Sequence, residues 1–381
     1  MRRLSTRVLV VGAGPAGLAT AIGLAQRDVD FIIIDALPEA QNTSRAAVVH
    51  AATLDSLGEL GVAKLMIAQG IKVPHFRIRE RDQVLLHVDF GLLQSPDSYA
   101  LMIPQDETER ILVERLRVLG QAVARPRQLT GVERVGCRFR ASVESIDGLE
   151  IIEAQFIVGA DGLNSTVRDC SPIAFPGKTY GSFLLADVSM DWPLTRDEVT
   201  LFFSRAGMLV VAPMSKDRYR IVAQYPDAPP VPDVADVQGV LDARGPSSRA
   251  SVTDVLWGSR FKVHHRLADH FHQDGVLLVG DAAHVHSPAG GQGMNLGLRD
   301  AVALAQALSD AIASESTNPL NEYDVVRRAT AEKVLKRTEM LTGLATVSPS
   351  ISRWGRNRLI GLAGTFRPVR RSIANALAGY S

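Results

Sequence analysis

Cysteine is almost missing: Cys137 and Cys170 are the only two in 381 residues. That usage excludes a disulfide scaffold and fits a reducing compartment, so a cytoplasmic location is the expectation. A dominant charge is lacking too, with 42 basic against 41 acidic side chains and a net charge of +1. Such a balance gathers neither nucleic acid nor an acidic partner. No apolar run approaches the roughly 18 residues of a membrane span. Arg2-Arg3 ahead of Val8–Val11 imitates an export signal, but Gly12, Gly14 and Gly17 interrupt the apolar stretch at once. Internal repeats and low-complexity segments are absent. So are a Gly-x-Ser-x-Gly elbow and a Cys–His nucleophile pattern, which leaves the chemistry to a cofactor. His264, His265, His270, His272, His284 and His286 have no carboxylate or cysteine at ligand spacing, and no metal is expected. An acid or base role near a substrate is the sharper reading of His284 and His286, and also of His50.

What is present is ordinary globular material, 46% apolar and 22% charged. The length exceeds the roughly 250–300 residues that one core usually supports, so two domains are expected. Residues 7–35 read as a βαβ unit: an apolar strand to Val11, a glycine turn, a helix over 16–26, and Phe31–Ile34, apolar throughout as in a covered parallel strand. Helix is predicted over 46–69, 107–119, 236–243 and 293–312, and over 320–381 with breaks at Pro349 and Pro368. Alternation predicts half-buried strands within 74–99 and at 183–188, 200–203, 207–211 and 219–225, with a meander over 127–160 and a buried strand at 276–279. The segment 343–381 has six arginines and no acidic residue. It is expected to pack Leu359, Leu362 and Phe366 on the body and to solvate its arginines.

Three glycine-rich stretches carry the chemistry. Gly12-Ala13-Gly14-Pro15-Ala16-Gly17 follows a strand and opens a helix, the setting of a dinucleotide fingerprint. Gly12 permits the turn, Gly14 admits a pyrophosphate, and Gly17 brings helix and strand close. Asp35 closes the second strand 18 residues after Gly17, where a carboxylate binds ribose hydroxyls. Gly159-Ala160-Asp161-Gly162 lies mid-chain. Gly280-Asp281 ends a strand, with Pro288-Ala289-Gly290-Gly291-Gln292-Gly293-Met294-Asn295 beyond it.

In this order, the three resemble the motifs of the single-component flavoprotein monooxygenases of the aromatic hydroxylase family, close to its phenol and polyketide branch. The resemblance implies an α/β fold: a discontinuous Rossmann-like FAD-binding domain of the GR2 type, a smaller, mostly antiparallel substrate sheet, and C-terminal helices. The expected division is FAD-binding domain 1–72, 100–180 and 267–342, substrate domain 73–99 and 181–266, and helical segment 343–381. FAD is the implied cofactor and NADPH or NADH the co-substrate. A small aromatic substrate and dioxygen are the implied partners, with oxygen transferred from a C4a-hydroperoxyflavin.

Gly12, Gly14, Pro15, Ala16, Gly17, Asp35, Ala36, Arg45, Gln105, Leu129, Asp161, Gly280, Asp281, Pro288, Gly291, Gly293, Met294 and Asn295 are the implied FAD-binding residues. Asp281 is implied on the ribityl chain, Arg45 and Gln105 on the flavin side, and Leu129 by the adenine. Ala36 stands where the family carries a basic residue. His50, Arg220 and Gln224 are candidate substrate-side residues, and Phe183, Phe203, Met208, Met214 and Tyr225 candidate substrate walls. Trp192, Trp257 and Trp354 do not make the paired motif of flavin halogenases. The thioredoxin-like C-terminal domain of larger relatives is not expected, and a monomer or homodimer is. Two other readings share the motifs: a reductase or dehydrogenase without oxygen transfer, and a non-catalytic aromatic-ligand binder.

Overall fold

In the computed structural model, residues 2–40, 46–288, 290–345, 355, 357–358, 360–361 and 364–380 are described. Arg45, Ala289, Pro349, Trp354, Leu359 and Leu362 lie outside them.

The first sheet has seven strands, drawn from distant parts of the chain. Arg2–Val11 lies centrally, parallel to Phe31–Ile34 on one side and to Gly148–Gly159 on the other, and Val276–Leu278 adds in parallel beyond. The meander Arg127–Val135, Arg138–Ser145 and Gly148–Gly159 joins it as expected. Helices Pro15–Ala25 and Gln292–Ser314 pack on it, so Leu9, Leu18, Ile22, Ile33 and Leu24 are fully buried. Each contributes about 1.5–3 kcal/mol through burial.

The second sheet has eight strands, ordered His284–Val285, Ser251–Leu267, Gly177–Asp191, Arg218–Gln224, Leu209–Pro213, Glu198–Phe202, His75–Glu80 and Gln83–Asp89. Its two faces differ. Tyr219, Ile221 and Ala223 pack with Leu209, Val211 and helix Val234–Arg244. The residues between them, Arg220 and Val222, face the first sheet, because side chains alternate along a strand.

Several expectations change. Residues 46–50 are not helical: Val48–Val49 pairs with Ala100–Met102, and helix begins at Ala51. The 17-residue strand Ser251–Leu267 was not anticipated; most of it is half-buried and it carries no clean alternation. Pro368 opens helix Arg367–Leu377 instead of interrupting one, since its missing N–H costs nothing in a first turn. Phe366 is exposed, and Ile373, Ala374 and Leu377 make the apolar contact of that helix. Tyr225 packs on the far face of the second sheet, whereas Phe183, Phe203 and Met208 join the cluster on the near face. Met214 packs at the smaller cluster around Ala212.

Candidate active site and cofactor cradle

The cradle starts at the turn after Arg2–Val11. Gly12 has φ +100°, and a Cβ there would sit 2.3 Å from the Ala160 carbonyl oxygen. A Cβ on Gly17 would lie 2.0 Å from the Gly12 oxygen. Both positions therefore lack space. Gly14 is different: nothing lies within 4 Å of its missing Cβ, and the same is true of Gly162 and Gly293. This emptiness faces the N-terminus of helix Pro15–Ala25, whose first N–H groups have no helical partner. The shape and donors fit a dinucleotide diphosphate.

Asp35 is held at the adjoining strand end. Its Oδ2 accepts from Ala13 N–H at 2.7 Å and its Oδ1 from Leu37 N–H at 2.9 Å. Arg125 lies 3.8 Å from the same carboxylate, so a basic group stands beside it although Ala36, the next residue, is exposed and neutral. Sequence reading missed Arg125, because it comes from a different segment. Leu129 is a buried core residue on the neighbouring strand.

Beyond the cradle lies a chamber of about 520 Å³. Gly14, Pro15 and Ala16, then Ala160 and Gly162, then Gly280 and Asp281, and finally Pro288, Gly291, Gly293 and Met294 line its first wall. Four parts of the chain thus converge as the motifs require. The opposite wall is the near face of the second sheet, with Phe76, Leu201, Val210, Ala212 and Val222. Ala46, Ala47, Val48, Ala100 and Met102 also reach the chamber. Ala46 closes the stretch Ser44-Arg45-Ala46 that resembles the family's flavin-contacting arginine; no motif marked the other four.

Asp161 does not line the chamber; its Oδ2 accepts Val167 N–H at 3.1 Å, and burial raises its pKa above the usual carboxylate range. Gln105 lines the chamber and clamps Ala46 from both sides. Its Oε1 accepts the Ala46 N–H at 3.2 Å, and its N–H donates to the Ala46 carbonyl at 3.1 Å. Glu109 accepts from its Nε2 at 2.8 Å and so fixes the amide.

The Ala46 carbonyl also accepts from Arg220 Nη1 at 2.8 Å. The same guanidinium grips Asp187 through two bonds of 2.7 Å, the bidentate geometry favoured by arginine and carboxylate. Gln224, further along the strand, does not line the chamber; it lies by Gly207.

His50 lines the chamber, buried, with Nε2 2.9 Å from the Gly290 carbonyl. That oxygen only accepts, so Nε2 carries the proton. Burial lowers the His50 pKa to about 4, and His286 is lowered to about 4 for the same reason. Both are neutral at neutral pH. Asn295 stands behind the loop: Oδ1 accepts from His50 N–H, and Nδ2 donates to Val48 and Gly291, all at 2.8 Å.

His284 bonds Asp300 at 2.7 Å, with both side chains fully buried, and Arg327 meets the other carboxylate oxygen at 2.5 Å. Burial alone would raise the Asp300 pKa, but Arg327 and His284 outweigh it and the net shift is down. His284 is thereby tied to the body of the protein. No group of three or more metal-ligating side chains occurs among the described residues. No helix among them is long and apolar enough to cross a membrane.

A dinucleotide cradle opening onto an apolar, sheet-walled chamber fits a dinucleotide-dependent oxidoreductase. The chain belongs to the FAD binding domain family, matching it over residues 5–338. It is 32% identical over 383 residues to 6-methylpretetramide 4-monooxygenase of Streptomyces rimosus, covering 98% of this chain and 69% of that protein. The crystal structure of p-nitrophenol 4-monooxygenase PnpA from Pseudomonas putida DLL-E4 has the same fold, with TM-score 0.87 and 24% identity over 100% of this chain and 99% of that one. OxyS anhydrotetracycline hydroxylase from Streptomyces rimosus superposes with TM-score 0.83 and 29% identity, over 98% of this chain and 76% of that one. The protein is an FAD-dependent monooxygenase. NAD(P)H is its co-substrate.

Proposed function

We propose that the protein hydroxylates an aromatic ring of a polyketide-like small molecule held in the chamber between the glycine loops and the second sheet. The observation that carries this reading is the wall opposite the cradle: Leu201, Val210 and Val222 offer an apolar face to the chamber, as a ring system requires. The named activities of the polycyclic-substrate relatives support it.

When bound, FAD supplies the redox chemistry that NAD(P)H and dioxygen require. The chain's own residues supply the rest. Gly14, Pro15 and Ala16 would receive the diphosphate at the helix N-terminus, Asp35 a ribose hydroxyl, and Asp281 the ribityl chain. Pro288, Gly291, Gly293 and Met294 would lie along the ring, with the N-terminus of helix Gln292–Ser314 directed toward charge that develops there. The apolar sheet face excludes water, which oxygen-transfer chemistry needs. His50 and His286, kept neutral, add no charge to the chamber. Arg220 holds the sheet to the cradle through Asp187 and Ala46.

The test records NAD(P)H oxidation, oxygen uptake and product mass together while phenols and polycyclic phenols are screened. Substrate-dependent oxygen uptake with a product heavier by one oxygen atom is expected. Flavin bleaching by NAD(P)H with no oxygen incorporated into any aromatic would overturn the reading in favour of a reductase. A protein that retains no FAD would remove it altogether.

A further inference from the structure

A second and larger recess adjoins the chamber. It is a cleft of about 1170 Å³ between the second sheet and helices Asn318–Ala345 and Arg367–Leu377. Phe76 and Leu377 line both spaces, so the cleft borders the inner chamber at these two side chains. Its sheet side is apolar, with Ile78, Leu86 and Phe203, and Leu341 faces them from the helix. Protein interiors are close-packed, and an open apolar recess of this size marks a place for a ligand.

Charge around this recess has one sign. Arg337, Arg367 and Arg371 line it, and no Asp or Glu does so among the described residues. All three arginines are exposed, and among the described residues none stands in an ion pair. An apolar floor with a cationic rim complements a molecule that is apolar along its length and anionic at its end.

We propose that the cleft is a second substrate subsite, which receives the far end of an elongated aromatic substrate: an apolar body terminating in a carboxylate. The ring to be oxidised then occupies the inner chamber. This inference rests on the hydroxylase reading and adds the substrate's shape and charge to it.

The probes are 10-(4-hydroxyphenyl)decanoic acid and its methyl ester, which share the phenol and the chain and differ in the terminal charge. Each is titrated calorimetrically into the FAD-loaded protein at low and at high sodium chloride. The acid is expected to bind on the order of fivefold more tightly than the ester at low salt, the scale of a few exposed ion pairs. That preference shrinks at high salt, as screening requires. It is lost in R337A/R367A/R371A, whose changes are all on exposed side chains, and the ester's affinity in that variant reports that the cleft is intact.

Equal affinities of acid and ester for the wild-type protein would overturn the proposal. So would a preference that survives the triple substitution. A dimer that the triple substitution dissociates, with no change in the acid-to-ester ratio, would assign the cleft to a second copy of the chain instead. The two levels are read separately. An arginine-dependent preference upholds the anion subsite even where the screen of phenols finds no oxygen incorporated into any aromatic, the result by which the hydroxylase reading fails.

Discussion

Asn295 accepts the peptide N–H of His50 at 2.8 Å, tying the first turn of helix Ala51–Glu59 to the first turn of helix Gln292–Ser314. The same side chain donates to Val48 and Gly291, so one buried amide holds the chamber loop against the strand that faces it. Asn295→Ala removes the acceptor of the His50 N–H and one donor each from the Val48 and Gly291 carbonyls. A loss of at least about 2 kcal/mol is expected, together with weaker FAD retention. Urea denaturation and the flavin-to-protein absorbance ratio check this; an unchanged urea midpoint would contradict it.

Gly12 and Gly14 are predicted to behave in opposite ways. Gly14 has φ −74° and open space where its Cβ would be, so Gly14→Val is expected to leave the apoprotein folded and deprive it of FAD. Gly12→Ala places its Cβ against Ala160 at a φ that L side chains avoid, and is expected to unfold the turn itself. Circular dichroism melting of the two apoproteins, beside their flavin content, separates the cases. Full FAD occupancy in Gly14→Val would exclude the diphosphate from that space.

Acid should destabilise the fold through His50 and His286. Each is lowered from 6.5 to about 4, so above pH 6.5 both folded and unfolded forms are neutral and nothing is lost. Between 6.5 and about 4 the unfolded chain takes up protons that the folded chain refuses, and stability falls. The loss is up to about 3 kcal/mol for each group. H50Q/H286Q replaces both rings by neutral amides and should flatten the profile over this window. Parallel pH slopes of the urea midpoint for variant and wild type would refute the assignment.

Asp300 is the counter-charge of Arg327 and the partner of His284. Asp300→Leu strands the Arg327 guanidinium, and a loss of roughly 3–5 kcal/mol is expected. Replacing both charges in D300L/R327L should recover much of this, since removing a buried pair together avoids the uncompensated charge. A double-mutant cycle by chemical denaturation measures the coupling. Additive losses would mean that the two side chains do not share their energy.

Most of the nucleotide half of the site could be seen in the sequence. The glycine turn, the strand ending at Val11, the Gly280–Asp281 strand end and the helix after Gly291 are local features, with meaning that survives without tertiary context. The pairs that finish the site are not local. Arg220 and Asp187 lie 33 residues apart on neighbouring strands, and nothing near either one marks the other. Arg125 reaches Asp35 in the same way, replacing the basic neighbour that Ala36 does not supply. Residues 46–50 looked helical because Ala-Ala-Val-Val contains no breaker; pairing with Ala100–Met102 decides their shape. Strand Ser251–Leu267 escaped notice because water reaches much of both its faces, which erases the alternation that marks a half-buried strand.

The wall of the cradle has a consequence for biosynthesis. Its first glycines leave the ribosome long before the Gly280 turn and the helix from Gln292 that close it. Until then a nascent chain exposes an unfinished parallel sheet with no grip on the nucleotide. Flavin capture therefore waits for the helix from Gln292 to emerge, and translation products truncated ahead of it should be colourless and prone to aggregation.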